Sequence, residues 1–192
     1  MNWRLRLGEA ALYLAAMAIV AALAHLIVVL IVPTLATRDA YARLAGLGPL
    51  NATVALPRPG PTERLLPYAD PAIASSVCRY DLGGGPVRVT APIGRGAFAS
   101  ISFHSRRGLV FYALTDKAAT HGVIEAVLAT PEDVRTLDAR DDEEDPSRDL
   151  RIAAPAKEGF VVMRVFSELP SLYPEAEEQA KGLACKPEPI AP

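Results

Sequence analysis

The chain has 192 residues, of which 51% are hydrophobic, and its formal net charge is −2 at pH 7. This length suits one ordinary domain together with a further segment. The slightly acidic balance excludes general nucleic-acid binding, because phosphate contacts require a basic surface that displaces counterions. We therefore expect no nucleic-acid partner.

The first predicted element is an apolar run at residues 10–33, which follows a short polar segment at residues 1–9. As a helix, the stretch from Ala10 to Val32 would extend about 34 Å, which is enough to cross a hydrocarbon core of roughly 30 Å. Pro33 follows this stretch, and we expect the helix to end there. Apart from the phenol of Tyr13, the only ionisable side chain of the stretch is His25, which we interpret as a neutral imidazole with a structural role.

A cleaved signal peptide is the alternative interpretation of this run. Such a peptide has an apolar region of about 7–15 residues, followed by small residues at the cleavage site. The run here is longer, and Thr34-Leu35-Ala36 is a poor cleavage site. The pattern therefore favours an uncleaved, single-pass anchor in the lipid bilayer.

Basic residues at the two ends of the run indicate its orientation. Arg4 and Arg6 precede it, whereas Arg38 and Arg43 follow it with Asp39 between them. Cytoplasmic flanks carry the excess of Lys and Arg, and a long folded tail is typical of an extracytoplasmic domain. We expect a bacterial inner-membrane protein with a cytoplasmic amino terminus and a periplasmic carboxy-terminal domain.

Residues 34–67 are rich in glycine and proline and predict a stalk, so we place the β-rich domain at residues 68–192. Alternating apolar residues and turn signals predict a series of short strands in that domain. Pro174 and Gly182 mark the ends of a short carboxy-terminal helix. The fold class is mainly β, a sandwich or jelly-roll-like domain after one transmembrane helix. The predicted strands are 87–91, 97–103, 109–114, 122–128, 149–153 and 160–166.

Cys78 and Cys185 stand near the two ends of this domain. In an oxidising compartment, an even number of cysteines favours a disulfide. We expect that bridge, with two inert thiols or a reactive thiol near Arg79 as alternatives.

The sequence gives little support for a metal site or a catalytic site. His104 and His121 are too few for a zinc site, and His104 is expected at the surface, at the end of a hairpin. The acidic loop 138–145 has Glu143 where a calcium loop requires glycine, so we interpret it as a solvated loop, with cation binding left open. The sequence lacks Gly-x-Ser-x-Gly. We therefore assign no catalytic residue, metal or cofactor.

A shared strand-and-turn pattern runs through the predicted domain at residues 70–71, 77–82, 85–89, 98–102, 111–114, 150–152 and 158–165. These segments resemble the bacterial family known as domain of unknown function 1254. The resemblance implies a β-sandwich or jelly-roll-like fold and an extracytoplasmic location, but no catalytic residues. Larger members join this domain to a companion, domain of unknown function 1214, which this sequence does not match.

These observations favour a non-enzymatic, membrane-tethered periplasmic domain that binds a partner protein or a small envelope ligand. A second membrane or periplasmic protein that carries the companion domain is the expected partner. The alternative is a periplasmic enzyme, or one half of a two-protein enzyme, whose reaction the sequence does not indicate.

Overall fold

The computed structural model describes residues 3–35, 39–60, 69–94, 98–141 and 149–188. The chain forms two compact units, Met1–Arg38 and Asp39–Pro192. The first unit contains one helix, and the second contains the β-rich domain.

Helix α1 comprises Trp3–Leu35. Its segment Arg6–Val32 has a mean hydropathy of 2.8 and is long and apolar enough to cross a membrane. The helix begins before the predicted run and continues two residues beyond Pro33. A proline removes only its own backbone donor, so the residues that follow can still bond to carbonyls of the preceding turn.

The strands of the second unit form two sheets, one five-stranded in the order β1-β2-β8-β4-β5 and one four-stranded in the order β7-β6-β3-β9. Neighbouring strands are antiparallel, apart from the parallel pair β6 and β7. The elements in chain order are α2 (Ala40–Ala45), β1 (Thr53–Ala55), β2 (Ile73–Asp81), β3 (Val87–Pro92), β4 (Ala99–Ser105), β5 (Val110–Thr115), β6 (Val123–Ala129), α3 (Pro131–Asp138), β7 (Arg151–Ala153), β8 (Glu158–Phe166), α4 (Tyr173–Lys181) and β9 (Ala184–Pro187).

The inner faces of both sheets meet in one buried core. Ile101 and Phe103 of the larger sheet and Val89 and Leu128 of the smaller one are each at most 1% exposed. This arrangement confirms the predicted mainly-β sandwich, since alternate residues of each strand face the opposing sheet. Helix α4, the predicted carboxy-terminal helix, adds Ala180 to this core.

Gly182 ends α4 for a packing reason rather than a conformational one. Its φ is −69°, which any residue adopts. A Cβ at this position would overlap the Pro92 ring at the end of β3. The glycine therefore allows the end of the helix to approach β3 closely.

A second, smaller core covers the outer face of the five-stranded sheet. Tyr41 of α2 and Leu56 after β1 pack there against Val77, Phe160 and Val162. Because β2 and β8 carry apolar residues on both faces, the outer face also needs a cover. The chain therefore differs from the expected stalk between residues 39 and 56, which fold onto the domain. Of the expected stalk at 34–67, residues 36–38 and 61–67 lie outside the described residues.

Candidate functional site

The side chains on the outer face of the five-stranded sheet stand in register across three central strands. β2, β8 and β4 are adjacent and antiparallel, so alternate residues of each strand share this face. Three rows result, namely Arg79–Phe160–His104, Val77–Val162–Ser102 and Ser75–Arg164–Ser100. The sheet thus gathers an imidazole, a hydroxyl and a guanidinium from two strands about 60 residues apart in sequence.

A chain of hydrogen bonds connects these three polar groups. A carbonyl only accepts, so the Nδ1–H of His104 donates to the Gly108 carbonyl oxygen at 3.2 Å. Nε2 of His104 then accepts from the Ser102 hydroxyl at 2.8 Å. Oγ of Ser102 in turn accepts from Nη1 of Arg164 at 2.9 Å. We call this directed series, from Arg164 through Ser102 and His104 to Gly108, the polar relay.

Packing holds His104 in a single position. Its ring stacks on Phe160, with centroids 4.7 Å apart and an interplanar angle of 10°. The Tyr80 hydroxyl donates to the His104 carbonyl oxygen at 3.1 Å. Gly159 lies against both groups, and a Cβ there would overlap the His104 oxygen and the Tyr80 hydroxyl. Position 159 therefore requires glycine, because any side chain there would clash with these two groups.

The prediction that His104 lies at the surface is wrong, because this side chain is only 8% exposed. The sequence predicted an exposed hairpin end at His104, but the second core, which includes Phe160, covers this end of the hairpin. Burial lowers the pKa of His104, and the positive charge of Arg164 lowers it further, while the hydrogen bond to Gly108 opposes the shift. The imidazole is therefore neutral at pH 7.

A cavity of about 170 Å³ lies between α2 and this outer face. We call it the α2 pocket. Its polar wall is formed by Arg43, Ser75, His104 and Arg164. The remaining wall is apolar, with Ala40, Leu44, Leu56, Val77, Phe160 and Val162. A concave, mostly apolar surface with a few converging polar groups is the usual form of a small-molecule site.

Arg164 lacks the carboxylate partners that several other arginines of the domain have. Arg88 pairs with three carboxylates, Glu125, Asp149 and Glu188. Among the described residues, Arg164 has no carboxylate within 4 Å, and its only hydrogen-bond partner is Ser102. Partial burial lowers the pKa of Arg164 from that of a free guanidinium, yet the group stays charged at neutral pH.

Helix α2, which forms one side of the pocket, is held in place by Tyr41. The guanidinium carbons of Arg79 and Arg106 lie 5.1 and 5.4 Å from the Tyr41 ring centroid. Arg106 also binds Asp39 at 3.1 Å, and Asp39 accepts from the Ala42 backbone at 2.7 Å at the start of the helix. These contacts stabilise a helix that is too short to persist alone.

The structure brings the two predicted cysteines together, away from the α2 pocket. Cys78 of β2 and Cys185 of β9 lie at disulfide distance, with Cα atoms 6.5 Å apart. Cys78 faces the main core, on the opposite side of β2 from Val77. Both cysteines are buried, which disfavours the reactive-thiol alternative near Arg79.

The acidic loop lies only partly within the described residues, because 142–148 are outside them. Its described carboxylates, Asp138 and Asp141, both bind Arg151, at 2.5 and 2.7 Å. His121 is exposed in a turn with a φ of 54°. Within the part of the chain that the structure describes, no group of three or more His, Cys, Asp or Glu residues could hold a metal ion.

Sequence reasoning missed Ser102 and Arg164 altogether and placed His104 in the wrong environment. One available signal was that 160–166 is apolar at nearly every position, which indicates a strand buried on both faces. Polar residues at every second position of neighbouring strands would then indicate a polar site on a sheet face that another part of the chain covers. The pairing that joins these strands could not be derived from their spacing in the sequence.

The fold and the pocket define a two-sheet β-sandwich domain with a covered outer face and a mixed apolar and cationic cavity. A family model described as a protein of unknown function, DUF1254, matches residues 50–187. The chain belongs to this family, which confirms the resemblance seen in the sequence. No curated protein matches the chain.

Two solved structures are similar to the chain at low sequence identity. One is a protein from Vibrio parahaemolyticus, with 12% identity and a TM-score of 0.54 over 80% of this chain and 38% of that one. Another is an uncharacterised protein from Burkholderia cenocepacia, with 15% identity and a TM-score of 0.46 over 80% of this chain and 43% of that one. The chain thus spans less than half the length of either protein. The Vibrio similarity supports the fold alone.

Proposed function

We propose that this protein is a membrane-tethered, extracytoplasmic domain that binds a small envelope ligand in the α2 pocket. The observation that carries the proposal is the pocket itself, which combines apolar walls with His104 and Arg164. Such a surface removes an apolar ligand from water and orients it through a few polar groups.

Two features support the tether and the compartment. The segment Arg6–Val32 of α1 has the length and composition of a membrane span. The pair of Cys78 and Cys185 at disulfide distance suits an oxidising compartment such as the periplasm. We propose a single-pass protein of the bacterial inner membrane with residues 1–9 in the cytoplasm, 10–33 in the bilayer and the domain outside.

We favour binding over catalysis because of the position of Ser102. Its Oγ lies 2.8 Å from His104 Nε2, which is a workable distance between a nucleophile and a base. However, Ser102 is only 7% exposed and is not part of the pocket wall. Oγ also accepts from Arg164, so the hydroxyl acts as a link between two side chains.

A matched pair of serines tests the pocket. Ser75 and Ser100 flank Arg164 on opposite sides, but only Ser75 lines the pocket. We would reconstitute the full chain in lipid nanodiscs and titrate 4-fluorobenzamide and 4-fluorobenzoate, with binding followed by ¹⁹F NMR. Ser75→Phe should fill the cavity and abolish binding of every probe that the wild type binds, whereas Ser100→Phe should bind as the wild type does.

Two outcomes would contradict the proposal. If Ser75→Phe binds the probes as tightly as the wild type does, they occupy another place. If the wild type binds neither probe, the pocket does not take small apolar molecules. Thermal unfolding by circular dichroism of both variants shows whether each retains the fold.

A second function, partner binding, is favoured by one edge of the five-stranded sheet. Among the described strands, β5 pairs with β4 alone, and Leu109, Val110 and Tyr112 at this edge are exposed. Unpaired edges and exposed apolar patches are surfaces that natural proteins cover or use. We propose that a membrane or periplasmic protein with the companion domain covers this edge.

Gentle solubilisation of the full chain from its native membrane tests the partner. We expect one protein to co-purify at stoichiometric levels with the wild type and with Thr136→Lys on α3, but not with Tyr112→Lys on the edge. A wild-type chain that runs alone as a monomer would rule this partner out.

A further inference from the structure

We propose that the ligand of the α2 pocket is a monocarboxylate with an apolar body, and that Arg164 binds its carboxylate. The inference rests on the proposed function, because it names the ligand class of the same pocket.

The charge of the pocket is the first step. Arg164 lines the pocket and, within the described ranges, is partnered only by the neutral Ser102 hydroxyl. Arg43 lines the same pocket. A partly buried guanidinium without a carboxylate is stabilised by an anion that arrives with the ligand.

The polar relay is the second step, because it orients Arg164. The Ser102 hydroxyl hydrogen is engaged by His104 Nε2, which leaves the oxygen lone pairs for Nη1 of Arg164. The relay therefore uses one of the five N–H groups of the guanidinium. In the described part of the chain, no protein acceptor is bonded to the others, and two neighbouring N–H groups match the oxygens of a carboxylate.

The longer Ser102–Val162 contact does not alter this direction. The Ser102 hydroxyl lies 3.4 Å from the Val162 carbonyl oxygen but only 2.8 Å from His104 Nε2. A hydroxyl has a single hydrogen, and the shorter contact is the better bond. The Ser102 oxygen therefore accepts a hydrogen bond from Arg164, and no other group of the relay donates to that oxygen.

The size and lining of the pocket are the third step. A volume of about 170 Å³ is close to that of an apolar cavity of roughly 150 Å³ that holds benzene. The ligand body inside the pocket is therefore about as large as one aromatic ring or a short acyl chain. Leu56, Val77 and Val162 on the wall disfavour a strongly hydrated phosphate dianion, which would lose more solvation than a carboxylate on entering.

The same ¹⁹F NMR titration in nanodiscs tests the ligand class with three probes that share a 4-fluorophenyl group. We expect 4-fluorobenzoate to bind at least tenfold more tightly than the neutral 4-fluorobenzamide, as a charge-assisted hydrogen bond requires. We also expect 4-fluorobenzoate to bind more tightly than 4-fluorophenyl phosphate. The wild-type comparison alone decides whether the pocket selects carboxylates.

Variants assign that preference to Arg164. Arg164→Gln should lower the affinity for 4-fluorobenzoate to that for 4-fluorobenzamide, while 4-fluorobenzamide itself binds as before and shows that the pocket is intact. Arg135→Gln on α3 is the matched control, because among the described residues the Arg135 side chain bonds only to Pro131 of its own helix. It should keep the full preference.

Three results would overturn the inference alone. Equal binding of benzoate and benzamide by the wild type excludes the anionic anchor but leaves the pocket as a ligand site. Tighter binding of the phenyl phosphate excludes the carboxylate class. A benzoate preference that survives in Arg164→Gln excludes Arg164 as the anchor. Failure of all three probes to bind the wild type would overturn the inference and the proposed function together.

Discussion

Gly159 and His104 show how single residues set the geometry of the site. Gly159 has no side chain, so Tyr80 can reach the His104 carbonyl oxygen and fix the His104 backbone within the relay. His104 then sits flat on Phe160 with one ring nitrogen on Gly108 and the other on Ser102. Neither role is visible in the sequence, because both depend on contacts between strands.

Gly159→Ala should destabilise the domain by about 1–3 kcal/mol, because the new methyl group must displace backbone or the Tyr80 side chain. Gly84→Ala is the control, since a Cβ at Gly84 meets nothing within 4 Å. That variant should change the free energy of unfolding by less than about 1 kcal/mol. Chemical denaturation of the full chain, followed by circular dichroism, measures both. Equal midpoints for the two variants would show that the approach at Gly159 is not tight.

The lowered pKa of His104 predicts a pH-dependent stability. Above pH 6.5 the imidazole is neutral in both states; below it, the unfolded chain protonates first, because the folded pKa is lower. The unfolded state then binds more protons, so the free energy of unfolding falls as the pH falls from 6.5 through the folded pKa. The charged groups that face the imidazole are Arg164 from β8 and, across the pocket, Arg43 from α2. The positive charge of Arg164 opposes protonation.

A pair of histidine variants isolates this effect. His104→Asn should show a smaller loss of stability between pH 7.5 and 5.5 than the wild type does. His121→Asn, at an exposed turn where asparagine adopts the positive φ readily, should retain the wild-type dependence. Denaturation midpoints at the two pH values provide the comparison. An unchanged pH dependence in His104→Asn would show that this imidazole does not titrate as inferred.

At the scale of elements, sequence patterns predicted most of the described strands. β3, β4, β5, β6, β7 and β8 all overlap their predicted ranges, whereas no predicted range covers the nine residues of β2. β1 and β9 are only three and four residues long, and they are strands because of their partners β2 and β3. Helix α2 has six residues in a glycine-rich context, and its Tyr41 anchor depends on arginines far along the chain.

The same limit applies to the α2 pocket. Its floor comes from β2, β4 and β8 and its cover from α2 and Leu56 after β1, so five separated segments must fold before it exists. The cysteines were easier to interpret, because two cysteines allow only one intramolecular pairing. That pairing joins β2 of one sheet to β9 of the other across the sandwich.

We predict that Cys78 and Cys185 are oxidised in the native compartment. Their sequence separation is 107, for which the chain-entropy account allows a stabilisation of up to about 4.7 kcal/mol. Reduction should therefore lower the denaturation midpoint clearly, and Cys78→Ala/Cys185→Ala should match the reduced wild type. Mass spectrometry of unreduced digests should contain the linked peptides. Two free thiols in protein taken from an oxidising compartment would contradict the bridge.

At the scale of the whole molecule, the order of the units predicts the topology. A reporter that is active only in the periplasm, fused after Pro192, should be active, and one that is active only in the cytoplasm should be silent. When each reporter is fused separately after Asp39, the periplasmic one should again be active and the cytoplasmic one silent, because Asp39 already belongs to the second unit. The reverse pattern at both positions would place the domain in the cytoplasm.

The central claim is that the α2 pocket is the ligand site of this domain. Diffraction from crystals of the full chain soaked with 4-bromobenzoate tests it directly, because bromine scatters anomalously. We predict one bromine peak inside the pocket, close to Phe160 and Leu56, with the carboxylate within hydrogen-bond distance of Arg164. A bromine peak elsewhere with an empty pocket, for a probe that binds in solution, would contradict the account.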